Sequence, residues 1–184
     1  MHPELWLVRH GETEWSRSGR HTSTTDLPLT AEGEAVAGSL PARLAGHEFQ
    51  RVLTSPRLRA RRTAELAGFP EAEVSDDLVE WDYGSYEGIT TPEIRRSVPD
   101  WTVWTHPCPG GESADQVAQR LHHIVDGAAE GRTLVFGHGH ALRALTALWL
   151  GLPVSDGRLF LLDTATVSIL GQERETRAVL RWNA

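Results

Sequence analysis

Leu5-Trp6-Leu7-Val8-Arg9-His10-Gly11 is the stretch whose reading decides the fold. Four apolar residues in a row predict a short strand buried on both faces, and Arg9-His10-Gly11 follows at its carboxyl end. The same grammar returns twice. Arg51-Val52-Leu53-Thr54 predicts a strand that runs into Ser55-Pro56, and Thr133-Leu134-Val135-Phe136 predicts one that ends at Gly137-His138-Gly139. A helical pattern comes after each of these two. Ser55-Pro56 offers a cap and a proline at the first helical position, with the helix running from Leu58 to Leu66 and stopping at Gly68. Leu142, Leu145, Leu148 and Leu150 mark the helix after His138-Gly139. Strands alternating with helices through short links predict an α/β fold of three layers, a mostly parallel central sheet flanked by helices. Sites in such sheets lie beyond the carboxyl ends of the strands. Arg9-His10, Ser55-Pro56 and His138-Gly139 are therefore expected to converge on one edge.

Outward from these strands the signals are weaker. Residues 11 to 28 lack apolar periodicity and read as a loop. Thr30 is expected to cap a helix to about residue 46, with Ala35, Val36, Leu40 and Leu44 on one side and Pro41 splitting it. Residues 77 to 88 read as irregular and aromatic. Thr91-Pro92 opens a short helix, and residues 99 to 111 read as a loop. Ser113 caps a helix to about residue 129, with Val117, Leu121, Ile124 and Val125 on its apolar face. Residues 158 to 170 and 177 to 182 predict two strands joined by a turn near Gly171.

The 184 residues are enough for one domain with a sizeable core. All 18 basic side chains are arginine, against 25 acidic ones, for a net charge of -7. That balance disfavours a nucleic-acid partner. Without lysine, Schiff-base chemistry and a lysine-based phosphate loop are excluded. Cys108 is the only cysteine, so no intrachain disulfide forms. No charged start followed by an apolar stretch marks a signal peptide, and no apolar run is long enough to span a bilayer. A soluble cytoplasmic protein with no membrane partner is expected.

A phosphate monoester is a dianion, and transferring its phosphoryl group is mainly a matter of positioning and electrostatic stabilisation. Guanidinium forks match phosphate oxygens, which makes Arg9 and Arg59 candidates. A neutral imidazole can attack phosphorus, a second can donate hydrogen bonds, and a carboxyl group can protonate the leaving oxygen and then activate water.

The residues that would do this resemble the histidine phosphatase superfamily, also called phosphoglycerate mutase-like. Arg9-His10-Gly11-Glu12-Thr13 is similar to its opening motif, and the run from Ser55 to Ala64 to its second, with the central arginine at Arg59. Glu80-Trp81-Asp82-Tyr83-Gly84 is similar to the segment that supplies the acid–base glutamate. Val135-Phe136-Gly137-His138-Gly139 is similar to the last motif. The resemblance implies a phosphoglycerate mutase-like sandwich and a small phosphorylated metabolite as substrate. It also implies roles: His10 as nucleophile, Arg9, Arg59 and His138 on the phosphate, and Glu80 as acid and base. Ser16, Thr22, Ser23, Tyr83 and Gly139 fall at substrate-binding positions, with Ser16 and Ser23 departing from the usual asparagine and glycine. The segment from Glu80 to Gly88 and the stretch through Trp104 look especially like an actinobacterial acid phosphatase branch. Weaker similarity extends to sedoheptulose bisphosphatases. The resemblance suggests a homodimer and no cofactor.

His138-Gly139-His140 could hold zinc, but His106, Cys108, His122 and His123 give no recognised ligand spacing, so no metal site is expected. Otherwise these histidines read as surface residues. Trp81, Tyr83, Tyr86, Trp101 and Trp104 read equally as substrate mouth or as a lid packed on the core. Mutases of the family carry an Arg-His pair after the glutamate and further basic residues for the substrate carboxylate; Trp81 and Asp82 stand there instead. A phosphatase is therefore favoured over a mutase. A non-catalytic phosphometabolite-binding module would have no need of Glu80. An acidic pH optimum is expected, because Glu80 must be protonated at the first step while the two guanidiniums favour neutral His10.

Overall fold

The computed structural model describes residues 2–128 and 131–184. In chain order its elements are β1 (Glu4–Arg9), α1 (Glu14–Ser18), α2 (Ala31–Ala37), α3 (Leu40–Leu44), β2 (Arg51–Thr54), α4 (Leu58–Leu66), β3 (Glu73–Val74), α5 (Thr91–Ile94), α6 (Ala114–Asp126), β4 (Arg132–Gly137), α7 (Gly139–Trp149), β5 (Val167–Glu173) and β6 (Thr176–Arg181). The sheet order is β3-β2-β4-β1-β5-β6. Strands β3, β2, β4 and β1 are mutually parallel, and β5 and β6 close one side as an antiparallel pair. The fold is thus α/β with a mostly parallel sheet, as expected from the alternation.

Strand β1 shows why the sheet is covered on both sides. Leu5 and Leu7 point into a core with α6 and α7, where Val117, Leu121, Leu142 and Leu145 are buried. Trp6 and Val8 point into a second core with Leu40, Leu44 and Ala64 from α3 and α4. Alternate residues of a strand face opposite ways, so an unbroken apolar run needs an apolar layer on each face. Because β1, β2 and β4 are parallel, Arg9, Ser55 and His138 leave the sheet at the same edge.

Several boundaries differ from the sequence reading. The helix after Thr30 breaks at Gly38 and Ser39, just before Pro41. The break resets its phase: Ala37, Leu40 and Leu44 are buried, whereas Val36 is exposed. Ser55-Pro56 does not cap α4. Its first amide, Leu58 N–H, donates instead to the Asp26 carboxylate at 2.8 Å, and the cap position is Arg57. The short helix near Pro92 is capped by Thr90 with Glu93 in a reciprocal pair. Helix α6 ends at Asp126; the expected end near residue 129 lies outside the described residues. Residues 158 to 166 form no strand, and the β5–β6 turn falls at Arg174 and Glu175 rather than near Gly171. Their backbone serves arginines: Arg143 takes the carbonyls of Gly157 and Arg158, and Arg9 takes that of Leu162. The strand β3 and the helix α1 lie in segments whose composition gave no periodic signal. Among the described residues no helix is long and apolar enough to cross a membrane.

Candidate active site

The edge where β1 and β4 end opens into a cavity of about 390 Å³. Arg9, His10, Ser16, Thr22, Glu80, Tyr83 and Gly139 all line it. Arg59, Ser23 and His138 do not; they are buried in the wall behind.

His10 is held in one tautomer. Its Nδ1 lies 2.7 Å from the Gly11 carbonyl oxygen. A carbonyl only accepts, so Nδ1 carries the proton and Nε2 keeps its lone pair. Burial, then the charges of Arg59 and Arg9, hold the imidazole well below its ordinary pKa, while its bond to the Gly11 carbonyl acts the other way. The ring is therefore neutral at physiological pH. Gly11 itself must be glycine: a Cβ there would sit 2.6 Å from the Gly33 carbonyl oxygen. Gly11 N–H donates to Thr63 Oγ1 at 2.9 Å, which ties the end of β1 to α4.

His138 packs against His10 with ring centroids 5.2 Å apart, edge to face. Both of its nitrogens are engaged, Nδ1 by Arg59 Nε and Nε2 by Ser55 Oγ at 2.7 Å. Arg59 is fully buried on α4. Its Nη1 donates to the Thr25 carbonyl and its Nη2 to those of Thr22 and Ser23. In this state the fork grips the 22–25 loop. Arg9 is different. It lines the cavity, its Nη1 donates to the Leu162 carbonyl, and its buried Nε has no partner among the described residues. A buried guanidinium nitrogen without an acceptor beside a cavity is a place for an anion's oxygen.

Glu80 comes from the irregular segment before Tyr83, and helix α7 fixes it. Its carboxylate accepts from the amides of His140 and Ala141 in the first turn of α7 and from that of Trp81. The segment is stitched down from outside. Arg120 on α6 donates to the carbonyls of Asp77 and Val79. The same guanidinium pairs with Glu112, whose carboxylate takes the Asp82 amide.

The sequence reading missed several side chains here. His140, expected at the surface, is partly buried at the cavity wall, with its Nδ1 2.6 Å from Tyr83 Oη. Burial, then Arg143, holds its pKa well below the ordinary value. Burial, then the Glu80 charge, raises that of Tyr83. His21 is buried against Tyr83 and Trp101, and its Nδ1 donates to the Ile89 carbonyl. Glu87 anchors the 22–25 loop by accepting from the amides of Ser23 and Thr25 and from Ser23 Oγ. Arg20, Arg95 and Arg143 also line the cavity. The aromatic residues divide. Tyr83, Trp101 and Trp104 line the cavity, whereas Trp81 packs in the core with its indole N–H on the Glu112 carbonyl, and Tyr86 packs on Trp101.

The described residues contain no cluster of three or more histidine, cysteine or carboxylate groups able to hold a metal ion. A family model described as histidine phosphatase superfamily, branch 1, matches residues 5–184. An acid phosphatase of Mycobacterium tuberculosis is 47% identical over 180 residues, covering 94% of this chain and 88% of that protein. A sedoheptulose 1,7-bisphosphatase of Saccharomyces cerevisiae is 40% identical, covering 83% and 69%. A solved structure of an open reading frame product from Mycobacterium tuberculosis superposes with a TM-score of 0.92 at 44% identity, covering 98% and 97% of the two chains.

Proposed function

The chain belongs to the histidine phosphatase superfamily, and from that premise we propose that it hydrolyses phosphate monoesters of small metabolites through a phosphohistidine on His10. The observation that carries this reading is the His10 Nδ1 bond to the Gly11 carbonyl, which leaves the Nε2 lone pair free at a cavity that Arg9 also lines. The names of the relatives, an acid phosphatase and a sedoheptulose 1,7-bisphosphatase, support a phosphatase.

In the first step Nε2 attacks phosphorus. The N–P bond forms, the ester P–O bond breaks, and the leaving oxygen keeps the electron pair and takes a proton from Glu80. In the second step a water oxygen attacks phosphorus while Glu80 takes one of its protons. The N–P pair returns to Nε2, and inorganic phosphate leaves. Glu80 ends protonated as it began, so alcohol and phosphate are the only products. Arg9 supplies charge to the equatorial oxygens from the start. His138 Nε2–H, now on Ser55 Oγ, is the second donor available to them. Arg59 acts from behind, its charge adding to burial, which does most to keep both imidazoles neutral.

The test is a quench of the enzyme during turnover of labelled nitrophenyl phosphate. An acid-labile, alkali-stable phosphoprotein is expected, and His10→Ala should lose both this species and turnover. Label on any other residue overturns the assignment.

A further inference from the structure

Arg9 faces the phosphate in the proposed reaction, and its side chain lies between two hollows. One is the cavity that His10 lines. The other, of about 180 Å³, is lined by Arg9 with Glu12, Ser16, Arg17, Asp163 and Thr164. Arginines elsewhere pair with carboxylates, Arg17 with Glu14 and Arg120 with Glu112 among them. Arg9 makes no such pair among the described residues: its Nη1 goes to the Leu162 carbonyl at 2.6 Å, and its Nε has no acceptor. The two carboxylates beside it are engaged elsewhere. Glu12 accepts from Thr30 Oγ1 at 2.8 Å. Asp163 is held by Asn183.

Asn183 meets residue 163 twice. Its Oδ1 accepts from the Asp163 amide at 2.7 Å, and its Nδ2 donates to Asp163 Oδ2 at 2.8 Å. Oδ1 also accepts from Thr166 Oγ1 at 3.0 Å. Asn183 is fixed in turn on β5, where its amide donates to Ser168 Oγ at 2.9 Å and Ala184 pairs with Val167 in both directions. Its φ of 50° lies in the left-handed region, which asparagine adopts more readily than most residues. The turn it binds holds Arg9 from two sides. The Ala165 amide donates to the Arg9 carbonyl at 2.9 Å, and the Leu162 carbonyl takes Arg9 Nη1. Ala165 is buried with a φ of 53°, a conformation that persists only where the surroundings impose it. The Asn183 bonds lie on either side of it, at Asp163 and Thr166. Released, the Asp163 carboxylate would have a cation within reach: burial has the largest effect on Arg9, but the charge of Asp163 acts on it as well. An amide that grips both the backbone and the carboxylate of residue 163 keeps that ion pair from forming.

We propose that Asn183 is a positioning residue for the phosphoryl site: it orders the 162–166 turn that aims Arg9, and it holds the Asp163 carboxylate off the guanidinium, leaving the Arg9 charge for phosphate. This inference rests on the phosphatase reading. Asn183 lines neither hollow and acts through Arg9.

The test uses Asn183→Asp, which keeps an acceptor for the Asp163 amide and for Thr166 but replaces the Nδ2 donor with an oxygen. On nitrophenyl phosphate, kcat/KM should fall about tenfold, and inorganic phosphate should bind correspondingly more weakly by calorimetry. Adding Asp163→Asn returns a donor to the pair and removes the competing charge, and should bring kcat/KM back to within about threefold of wild type. Asp163→Asn alone should stay within about twofold. In Arg9→Gln, where the guanidinium is already gone, Asn183→Asp should lower either readout by less than about twofold more. A merely structural role would repeat its full loss in that background. If Asn183→Asp does not fold, Asn183→Gly, which accepts the positive φ, makes the same comparisons. Wild-type activity and phosphate affinity in the single variant, no recovery in the double variant, or an undiminished loss beside Arg9→Gln overturns the role of Asn183. Absence of wild-type turnover on nitrophenyl phosphate overturns the phosphatase reading instead, and phosphate affinity across the same variants then decides the role of Asn183.

Discussion

Arg59 Nε donates to His138 Nδ1 across 3.2 Å in the protein interior. Arginine has no acceptor, so Nδ1 must offer its lone pair, and the remaining ring proton sits on Nε2. That N–H meets Ser55 Oγ at 2.7 Å. Burial, then the Arg59 charge, holds the imidazole well below its ordinary pKa. The ends of β2 and β4 and the first turn of α4 thus fix one neutral ring, and His10 packs against it.

Ser55→Ala should therefore leave a buried N–H without a partner. The expected cost is about 1–3 kcal/mol of stability, read by urea denaturation. If Ser55 orders His138 for the reaction, kcat should fall more than KM rises. A variant as stable and as active as wild type would remove Ser55 from the site.

Glu87 should be worth more than its place at the end of a motif suggests. Burial pushes its carboxyl pKa up, but hydrogen bonds from Ser23 and Thr25 outweigh that, and the net shift is downward. A carboxyl pKa depressed on folding adds stability that is present above the unfolded value of 4.5 and is lost as pH falls through the folded value. Glu87→Gln should abolish this pH-dependent increment and loosen the 22–25 loop, with KM rising several-fold. Unchanged thermal stability at pH 6 would show that the loop is held by Arg59 alone.

Acid should unfold the protein from an early point. His10, His138 and His140 are all held neutral by burial and by neighbouring arginines or histidines. Their folded pKa values lie below the unfolded 6.5, so the unfolded chain binds more protons as pH drops. Stability is unaffected by these groups well above pH 6.5 and declines below it. Each contributes about 1.4 kcal/mol per pH unit until its folded pKa is reached. Thermal melts between pH 7.5 and 5 should show Tm falling steeply in the lower half of that range; a flat profile would mean the rings protonate in place.

Activity should peak on the acid side of neutrality nonetheless. The first step needs a protonated Glu80, and the second needs that residue to accept a proton again. The depressed pKa of His10 keeps the nucleophile unprotonated where free histidine would be charged. The pH dependence of kcat/KM should therefore be bell-shaped, with the loss of protein stability cutting off its acid limb. A rate still climbing at about pH 9 contradicts the role assigned to Glu80.

Much of the architecture was legible because it is local. Leu5 to Val8 and Thr133 to Phe136 need only their own apolar character to become buried strands, and Ser113 caps α6 with Gln116 three residues away. His10, Arg9, Glu80 and His138 were legible in another way, through motifs whose order along the chain matched a family. Errors arose where a side chain had a distant partner. Ser55 read as a helix cap, but its hydroxyl is given to His138, and the carboxylate at the start of α4 comes from Asp26. His140 read as a surface residue because nothing within one turn distinguishes a cavity-lining imidazole from an exposed one.

The sequence by itself determined a mostly parallel sheet with an apolar layer on each face, and brought Arg9, Ser55 and His138 to one edge of it. Backbone conformation and strand burial follow from neighbours a few positions apart, and those neighbours are written in order. Only the tertiary structure decided which nitrogen of each histidine carries its proton, which arginines lack a carboxylate, and how Glu80 is held. The His138 tautomer and the hold on Glu80 depend on hydrogen-bond partners some 60 to 80 residues away, whereas His10 takes its tautomer from the neighbouring Gly11 carbonyl, and electrostatics acts through distance in space rather than along the chain.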